Sequence, residues 1–489
     1  MPKWAKIIAS GGIKIDFLHK INVLSKMNNK RKIKKSTFKI VSSSSIPASE
    51  GKEWKFLRRI FISGIVSLIL IFIILFTLPK TVLSTSSLIE YSTIVALVIF
   101  LFILLIRYFG ILILAYFHLS EYTFKSTNGF KPFVSIIIPV YNESKMIEKS
   151  VASLLKLDYA DYEIIIVNDG STDDTEQVAT ALVGYQKGKL SGIKVSLVNK
   201  TNGGKASALN AGIQISKADY ILCMDGDSQL SPDSLKLAVR HFANPQIGAV
   251  AGNVKVLNRG KFITDLQALE YVEGLNMARS AQSFVRLVNI IPGPIGLFRK
   301  EALEKAGYYA DDTFAEDADL TLRILAGGWK IYYEPKSISY TEAPENLQQL
   351  LKQRYRWTRG IIQSIRKHKK LMLNPTINFG DSFTLWAMFY EALIWPPMNI
   401  AAHLFFIVAA LAFGFTSLIF FWWAGLALLD LITALYCVAA EKEEFRLVSY
   451  AIIYRMVFIL IIDICKAMST VEEFLGVKMR WGKLERIGN

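Results

Sequence analysis

Continuous apolar runs lie toward the two ends of the chain, and between them apolar and polar positions alternate in short blocks. Ile60–Leu78 is apolar over the length that a helix needs to cross the hydrocarbon core of a bilayer, and about Ile89–Phe117 is a second such run. Arg107 lies inside the second run, so that helix is predicted to be long and tilted or to end at the interface. We therefore predict two transmembrane helices within residues 60–117.

The apolar pattern resumes at Phe383 and continues to Met468, with the charged loop Glu441–Arg446 before its last run. We predict a transmembrane bundle over 383–468, most simply of four helices, because both tails of the chain are basic. Residues 1–59 carry fifteen Lys or Arg against three Asp or Glu, and residues 469–489 are also basic. Both tails are predicted to be cytoplasmic, which gives a multi-pass protein of the plasma membrane with a cytoplasmic middle region.

The middle region, residues 130–342, has the pattern of an α/β domain. The β-branched runs Val134–Val140 and Glu163–Asp169 are separated by a helical segment, Glu143–Leu157, as in parallel βαβ units. Further strands are predicted at Lys194–Asn199, Tyr220–Met224 and Ala249–Val254, and further helices at Asp174–Leu182, Lys205–Ser216 and Pro232–Phe242.

Residues 343–372 show a helical pattern of a different kind. Apolar side chains between Leu347 and Ile365 fall on one face, and arginines and lysines crowd the others. At the edge of a membrane protein, a basic amphipathic helix is most simply an interfacial helix. By this interpretation Arg356 lies among lipid head groups and Trp357 anchors the helix at the interface.

The charge of the chain favours a membrane partner over a nucleic acid. The formal net charge is +16, and most of it precedes the first apolar run, where it satisfies the positive-inside rule and can contact anionic lipid. We therefore expect a lipid bilayer and no nucleic acid as partner. Cys223, Cys437 and Cys465 form no motif, which indicates a reduced compartment and no cysteine metal site.

The first candidate functional residues are in Asp225-Gly226-Asp227, which directly follows the buried strand predicted at Tyr220–Met224. Ligands of open α/β sheets bind outside the carboxyl ends of the strands. Two carboxylates separated by a glycine can present oxygens to a hard divalent cation without a bulky side chain between them. Taken alone, the same three residues are more simply an acidic turn after a strand.

Other candidate residues follow the same strand-end pattern. Asp169 closes a predicted strand, where a carboxylate can accept hydrogen bonds from a base or ribose. Lys205 follows two glycines at the start of a helix, a position suited to phosphate. The acidic cluster Phe314–Asp319 precedes an apolar helix, and alone it is more simply an acidic first turn that complements the helix dipole.

These motifs, in their order along the chain, carry a resemblance. SIIIPVYNE, VNDGSTDDT, NGGKASALN, DGD, AEDADLT and QRYRW, over about Val134–Arg359, resemble the motifs of the family 2 membrane glycosyltransferases that build polysaccharides. QRYRW and PGPIGLFRK most resemble the synthases of poly-N-acetylglucosamine, hyaluronan and chitin oligosaccharides. Asn168 departs from the pattern, because many relatives have a second Asp there. The resemblance implies a cytosolic GT-A-type, Rossmann-like domain inserted between N-terminal and C-terminal transmembrane helices, with amphipathic interfacial helices.

The resemblance also implies roles for individual residues. Asp317 would be the catalytic base that deprotonates the acceptor hydroxyl, in a single displacement with inversion. Asp225 and Asp227 would bind Mg²⁺ or Mn²⁺. The UDP-sugar site would comprise Val140, Tyr141, Glu143, Asp169, Lys205, Asp225 and Arg356, and the acceptor site Gly293, Gly296, Glu316, Gln353, Arg356 and Trp357.

The favoured interpretation is a processive synthase that polymerises a UDP-sugar, with UDP-N-acetylglucosamine as the best candidate, and passes the product across the membrane. Its partners would be the donor, the growing polysaccharide and the bilayer, and an accessory membrane subunit is left open. An alternative is an enzyme that adds one sugar to a membrane lipid, although Gln353–Trp357 is associated with acceptor sites for polymers. A third interpretation is an inactive membrane scaffold or a transport component, which has no need to keep the intact set Asp169, Asp225, Asp227, Asp317 and Trp357.

Overall fold

The computed structural model describes residues 88–122, 129–376, 378–413 and 417–478. The basic tail at 1–59, the predicted span Ile60–Leu78 and residues 479–489 of the C-terminal tail lie outside the described residues.

Within these ranges, nine strands form one mixed sheet in the middle region. They are β1 Val134–Val140, β2 Tyr162–Asn168, β3 Gly184–Lys187, β4 Gly192–Asn199, β5 Tyr220–Cys223, β6 Ser228–Leu230, β7 Ile247–Val256, β8 Gly296–Arg299 and β9 Lys330–Thr341. Their order across the sheet is β3-β4-β2-β1-β5-β8-β7-β9-β6.

The centre of the sheet is parallel and buried. β1 pairs in parallel with β2 on one side and β5 on the other, and β2 pairs in parallel with β4. Every residue of β1 and β2 is buried, because helices cover both faces. The predicted α/β architecture is therefore confirmed. The sheet is nevertheless mixed rather than wholly parallel, since β8 runs antiparallel to both β5 and β7.

The described residues also form sixteen α-helices. They are α1 Leu88–Tyr122, α2 Ile147–Leu155, α3 Thr175–Ala181, α4 Lys205–Ile215, α5 Ser234–Val239, α6 Phe262–Glu270, α7 Met277–Phe284, α8 Lys300–Ala306, α9 Glu316–Ala326, α10 Leu347–Lys367, α11 Lys369–Leu373, α12 Phe379–Phe389, α13 Trp395–Phe413, α14 Ser417–Ala440, α15 Ala451–Ile453 and α16 Ile459–Phe474.

Two helical stretches of the described residues are long and apolar enough to cross a membrane: Phe102–Ser120 within α1, and Phe445–Phe474, which ends with α16. Ala424–Ala440 is a shorter apolar helix. The six crossings expected from the sequence therefore stay a prediction. Arg107, noted inside the second apolar run, forms an ion pair with Glu391 at 2.7 Å.

Two arginines that the pattern places on the polar faces of α10 are buried inside the protein. Arg354 and Arg359 are 2% and 4% exposed, and their guanidinium groups pair with Glu270 and Glu473 inside the protein. The pattern of α10 alone could not show this, because both acidic partners come from distant parts of the chain. An exposed aromatic stripe lies instead on α12, where Phe379, Phe383 and Trp386 are accessible.

The charged loop after α14 connects the sheet to the C-terminal helices. Lys255 of β7 lies 2.9 Å from Glu443 Oε1, and Arg259 Nη2 donates to the same oxygen at 3.0 Å. Removing one partner of such a buried ion pair is strongly destabilising, because it leaves an uncompensated charge. The sheet and the C-terminal helices are therefore held in a fixed relation.

Candidate active site

Three predicted site residues lie at the carboxyl ends of neighbouring parallel strands. Val140 ends β1, Asp169 follows β2, and Asp225 lies just beyond β5. The Asp169 N–H donates to the Val140 carbonyl at 2.9 Å, which fixes the two strand ends against each other. Because β1 is flanked by β2 and β5, these residues surround the point where the strand order reverses, the usual place for a nucleotide in such sheets.

The carboxylate of Asp169 anchors the glycine-rich loop. Its Oδ1 accepts hydrogen bonds from Lys200 Nζ at 2.6 Å and Gly203 N at 3.0 Å, and its Oδ2 accepts one from Gly204 N at 2.8 Å. Gly204 has φ +85°, a conformation that favours glycine. The loop is thereby held so that α4 begins at Lys205.

Lys205 connects the two acidic motifs of the site. Its Nζ lies 2.6 Å from Asp225 Oδ1 and 3.2 Å from Glu316 Oε1. Burial alone would lower the pKa of Lys205, but Asp225 and Glu316 outweigh it and raise the pKa. A Cβ at Gly293 would lie 2.8 Å from this Nζ and 2.9 Å from Asp225 Oδ2, so the ion pair needs a glycine there.

The two aspartates of the DGD turn lie in different surroundings. Asp225 is partly exposed to a cavity, whereas Asp227 is 2% exposed, with its Oδ1 accepting from Ser228 Oγ at 3.4 Å. A side chain at Gly226 would collide with the Glu143 carboxylate, so Glu143 packs directly against the turn.

A cavity joins the DGD turn to the first turn of α9. Predicted site residues in its lining are Lys205, Asp225, Gly293, Gly296, Glu316 and Asp317, and the apolar lining includes Leu209, Ile291, Phe298 and Tyr309. Lys205 and Asp225 of the predicted donor site thus share one space with Asp317, the proposed base.

The electrostatics of the cavity suit Asp317 to accept a proton. Burial, and then the neighbouring Glu316 carboxylate, raise the pKa of Asp317 to about 6, although Lys205, the Ala318 N–H and Arg356 oppose the shift. Ala318 N donates to Asp317 Oδ1 at 2.8 Å, which fixes the carboxylate at the helix N-terminus. α9 begins at Glu316, so the acids that were predicted to complement the helix dipole do lie in its first turn.

Another acid of the same turn has a structural role. Asp319 is fully buried and pairs with Arg323 at 2.9 Å, Lys367 at 3.0 Å and His368 at 2.9 Å. Despite burial, the His368 hydrogen bond and the charge of Arg323 lower the pKa of Asp319 to about 2. Asp319 therefore joins α9 to the C-terminal end of α10.

The QRYRW residues of α10 are held by a buried ion pair. Arg354 donates to Gln353, pairs with Glu270 at 2.5 Å, and places its guanidinium carbon 4.2 Å from the centre of the Trp357 ring. Gln353 is buried and Trp357 is partly buried. Arg356 is partly exposed, and its positive charge acts to lower the pKa of Asp317.

The remaining predicted residues do not line the cavity itself. They are Val140, Tyr141, Glu143, Asp169, Asp227, Gln353, Arg356 and Trp357. Lys200, which binds Asp169, was missed, because a single lysine in a loop gives no signal in the sequence. Glu270, which pairs with Arg354, was missed because its partner lies 84 residues away.

The oxygen ligands of the DGD turn fit a hard divalent cation. Asp225 faces the cavity, and carboxylate oxygens are the ligands that Mg²⁺ and Mn²⁺ prefer. In the part of the chain that the structure describes, no three His, Cys, Asp or Glu side chains are grouped around one ion site. A cation at Asp225 and Asp227 would thus need further ligands from a bound substrate or water.

Comparison with known proteins identifies the class of this α/β domain. Residues 135–307 match Glycosyl transferase family 2. The chain is 30% identical over 291 residues to a poly-β-1,6-N-acetyl-D-glucosamine synthase of Staphylococcus epidermidis, a match covering 58% of this chain and 68% of that protein. The chain belongs to the family 2 glycosyltransferases.

A further relative agrees with this family, and one solved structure shares the fold. A synthase of the same name from Staphylococcus aureus strain COL is 34% identical over 228 residues, covering 46% of this chain and 54% of that protein. A solved mannosyltransferase from Pyrobaculum calidifontis, in complex with GDP-mannose and Mn²⁺, matches with a TM-score of 0.54 and 21% identity. That match covers 77% of this chain and 98% of the solved chain, and it concerns the fold alone.

Proposed function

We propose that this chain is a processive inverting glycosyltransferase that polymerises a UDP-sugar into a β-linked polysaccharide and passes it across the plasma membrane. UDP-N-acetylglucosamine is the first candidate donor, because the similar staphylococcal proteins are named for the polymer of that sugar. The observation that carries the proposal is that Lys205, Asp225 and Asp317 line one cavity.

The donor would bind at the strand ends. Val140, Tyr141, Glu143 and Asp169 would surround the uridine, with Asp169 also holding the loop that leads to Lys205. Asp225 and Asp227 would hold Mg²⁺ or Mn²⁺, which supplies positive charge against the diphosphate as the sugar bond breaks. Lys205 adds a fixed cation beside Asp225, where it would stabilise the same leaving group.

The acceptor would be activated by Asp317. The carboxylate removes the proton of the acceptor hydroxyl, the oxygen attacks the anomeric carbon, and the bond to the diphosphate oxygen breaks with inversion. With a pKa of about 6, the carboxyl group is largely ionised at neutral pH and remains a stronger base than an ordinary aspartate.

Processive synthesis would require that each new chain end be held after transfer. Gln353, Arg356 and Trp357 are suited to this role, because their helix packs against the segment that carries Asp317. Trp357 is held under Arg354, so its ring would be a stiff platform for a terminal sugar. The apolar stretches Phe102–Ser120 and Phe445–Phe474 support a membrane location for the enzyme.

The experiment is product analysis with the purified full-length protein in lipid nanodiscs. Separate reactions receive radiolabelled UDP-N-acetylglucosamine, UDP-glucose or UDP-glucuronic acid, and products are sized by gel and tested with linkage-specific hydrolases. We expect a polymer from UDP-N-acetylglucosamine and an Asp317→Asn control without product. A labelled lipid carrying one sugar would establish the single-addition alternative, and no turnover of any donor would favour an inactive scaffold.

A further inference from the structure

A hydrogen-bonded chain joins the C-terminal end of α16 to the segment that carries Asp317. Glu473 accepts hydrogen bonds from Gln363 Nε2 at 3.2 and 3.3 Å. Gln363 Oε1 in turn accepts one from Phe314 N at 3.0 Å. One side chain of α10 therefore links a carboxylate of α16 to the backbone three residues before the proposed base.

Glu473, the first residue of this hydrogen-bonded chain, is held by an ion pair. Glu473 Oε2 lies 2.6 Å from Arg359 Nε, and both side chains are buried, with 6% and 5% exposure. Arg359 also donates to the Val477 carbonyl at 2.7 Å, and Arg366 lies 3.6 Å from Glu473. Separating such a buried, hydrogen-bonded pair is costly, because it leaves an uncompensated charge inside the protein.

The contact between α10 and the segment before Asp317 leaves no free space. A Cβ at Gly360 would lie 2.5 Å from Ala315 N and 2.8 Å from the Phe314 carbonyl carbon. The Arg359 guanidinium carbon lies 5.8 Å from the centre of the Phe314 ring. A displacement of α10 must therefore displace the backbone at Phe314 and Ala315.

We propose that Glu473 is a positioning residue for glycosyl transfer, acting through Gln363 on the segment that carries Asp317. This inference rests on the proposed role of Asp317 as the base. Glu473 belongs to Phe445–Phe474, one of the two stretches able to cross a membrane among the described residues. The C-terminal apolar helix thus sets the geometry of the base, and the catalytic centre and the membrane-facing helices act as one unit.

The test compares four full-length variants in nanodiscs: Glu473→Gln, Gln363→Leu, the double variant and Glu472→Gln. Glu472 is the matched control, because this neighbouring acid accepts from the Tyr355 hydroxyl, which also contacts Arg359, but bonds no atom of Gln363. The readouts are kcat for UDP release, KM and Kd for the UDP-sugar, and the thermal unfolding midpoint. Gln363→Leu retains the Arg359–Glu473 pair, so it carries the test alone if Glu473→Gln does not fold.

We expect each single variant to lower kcat by about tenfold or more, since small misplacements of a catalytic group are costly, with donor Kd within about twofold of wild type. The double variant should be no worse than the poorer single variant, because both break the same chain. Glu472→Gln should keep kcat within about twofold.

A normal kcat in Gln363→Leu overturns the inference, and so does a raised KM with unchanged kcat. An additive loss in the double variant also contradicts it, since the two residues would then act independently. Asp317→Asn is measured in parallel to separate the two proposals. If Asp317→Asn is active, the proposed function fails; if it is inactive while Gln363→Leu is normal, only the role of Glu473 fails.

Discussion

The Lys205 ammonium lies 2.6 Å from Asp225 Oδ1, and it also reaches Glu316 at 3.2 Å. Lys205 therefore joins Asp225, the acid expected to hold the metal, to Glu316, the acid beside the proposed base. Because the Lys205 charge opposes the rise in the pKa of Asp317, the predicted donor and acceptor sides of the cavity would be electrostatically coupled.

The coupling predicts that Lys205→Met shifts the dependence of kcat on pH. In wild type, the rate should fall as pH drops through about 6, because a protonated Asp317 cannot accept the acceptor proton. Loss of the cation should raise the pKa of Asp317 and move this acid limb to higher pH, together with weaker donor binding. The measurement is kcat between pH 5 and 9, with the exposed Lys194→Met as control. An unchanged limb would contradict the coupling.

Asp317→Asn should separate activity from stability. We expect turnover to fall by about two to four orders of magnitude, with UDP binding nearly intact. The folded pKa of about 6 lies above the ordinary 3.8, so the folded state binds this proton more tightly than the unfolded state. Folding therefore loses stability as pH rises from about 4 to 6, and above that range the ionised group costs roughly 1 to 3 kcal/mol.

The asparagine variant removes this cost, so its unfolding midpoint at pH 8 should exceed that of wild type, and the gain should vanish at pH 4. Scanning calorimetry and a coupled UDP-release assay measure the two effects. A variant with more than half the wild-type turnover would make Asp317 only a helix-capping acid.

Gly360→Ala should displace the segment before Asp317. The added methyl group meets backbone atoms at 2.5 Å, which cannot move aside as a flexible side chain can. We expect kcat to fall by about tenfold or more and the protein to lose roughly 1 to 3 kcal/mol of stability. The control is Gly274→Ala, where the Cβ would meet only the Tyr454 hydroxyl at 3.8 Å. Equal behaviour of the two variants would show that the close contact has no effect on catalysis.

Divalent cations should be required for turnover. Chelation should abolish UDP release, and either Mg²⁺ or Mn²⁺ should restore it, because Asp225 and Asp227 offer only oxygen ligands. Asp225→Asn should raise the cation concentration needed for half-maximal activity. Full turnover in excess chelator would refute the metal assignment.

The sequence was sufficient for the elements that local pattern determines. The strand predicted at Val134–Val140 has the observed bounds. A short run rich in β-branched residues is typical of a strand buried inside a parallel sheet. The start of α4 at Lys205 was also predictable, since two glycines precede a helical pattern. The donor-side acids follow from the same logic, because they come directly after such strands.

Long-range partners could not be predicted in this way. The sequence pattern places Arg354 and Arg359 on the polar faces of an amphipathic helix, yet both are buried against Glu270 and Glu473. No local pattern reveals an ion pair between residues 84 or 114 positions apart. For the same reason, the contact of Gly360 with Ala315 became visible only in the fold.

Trp357→Ala provides the most direct test of processive synthesis, measured as UDP release and product length in the same reaction. In the proposed mechanism the Trp357 ring would hold the chain end near Asp317 by stacking, whereas water needs no such platform. We predict that the variant makes no polymer but still hydrolyses the UDP-sugar slowly, and that Trp386→Ala, at an exposed tryptophan of α12, makes chains of normal length. Chains of normal length from Trp357→Ala, or a singly glycosylated lipid as the only wild-type product, would contradict the account.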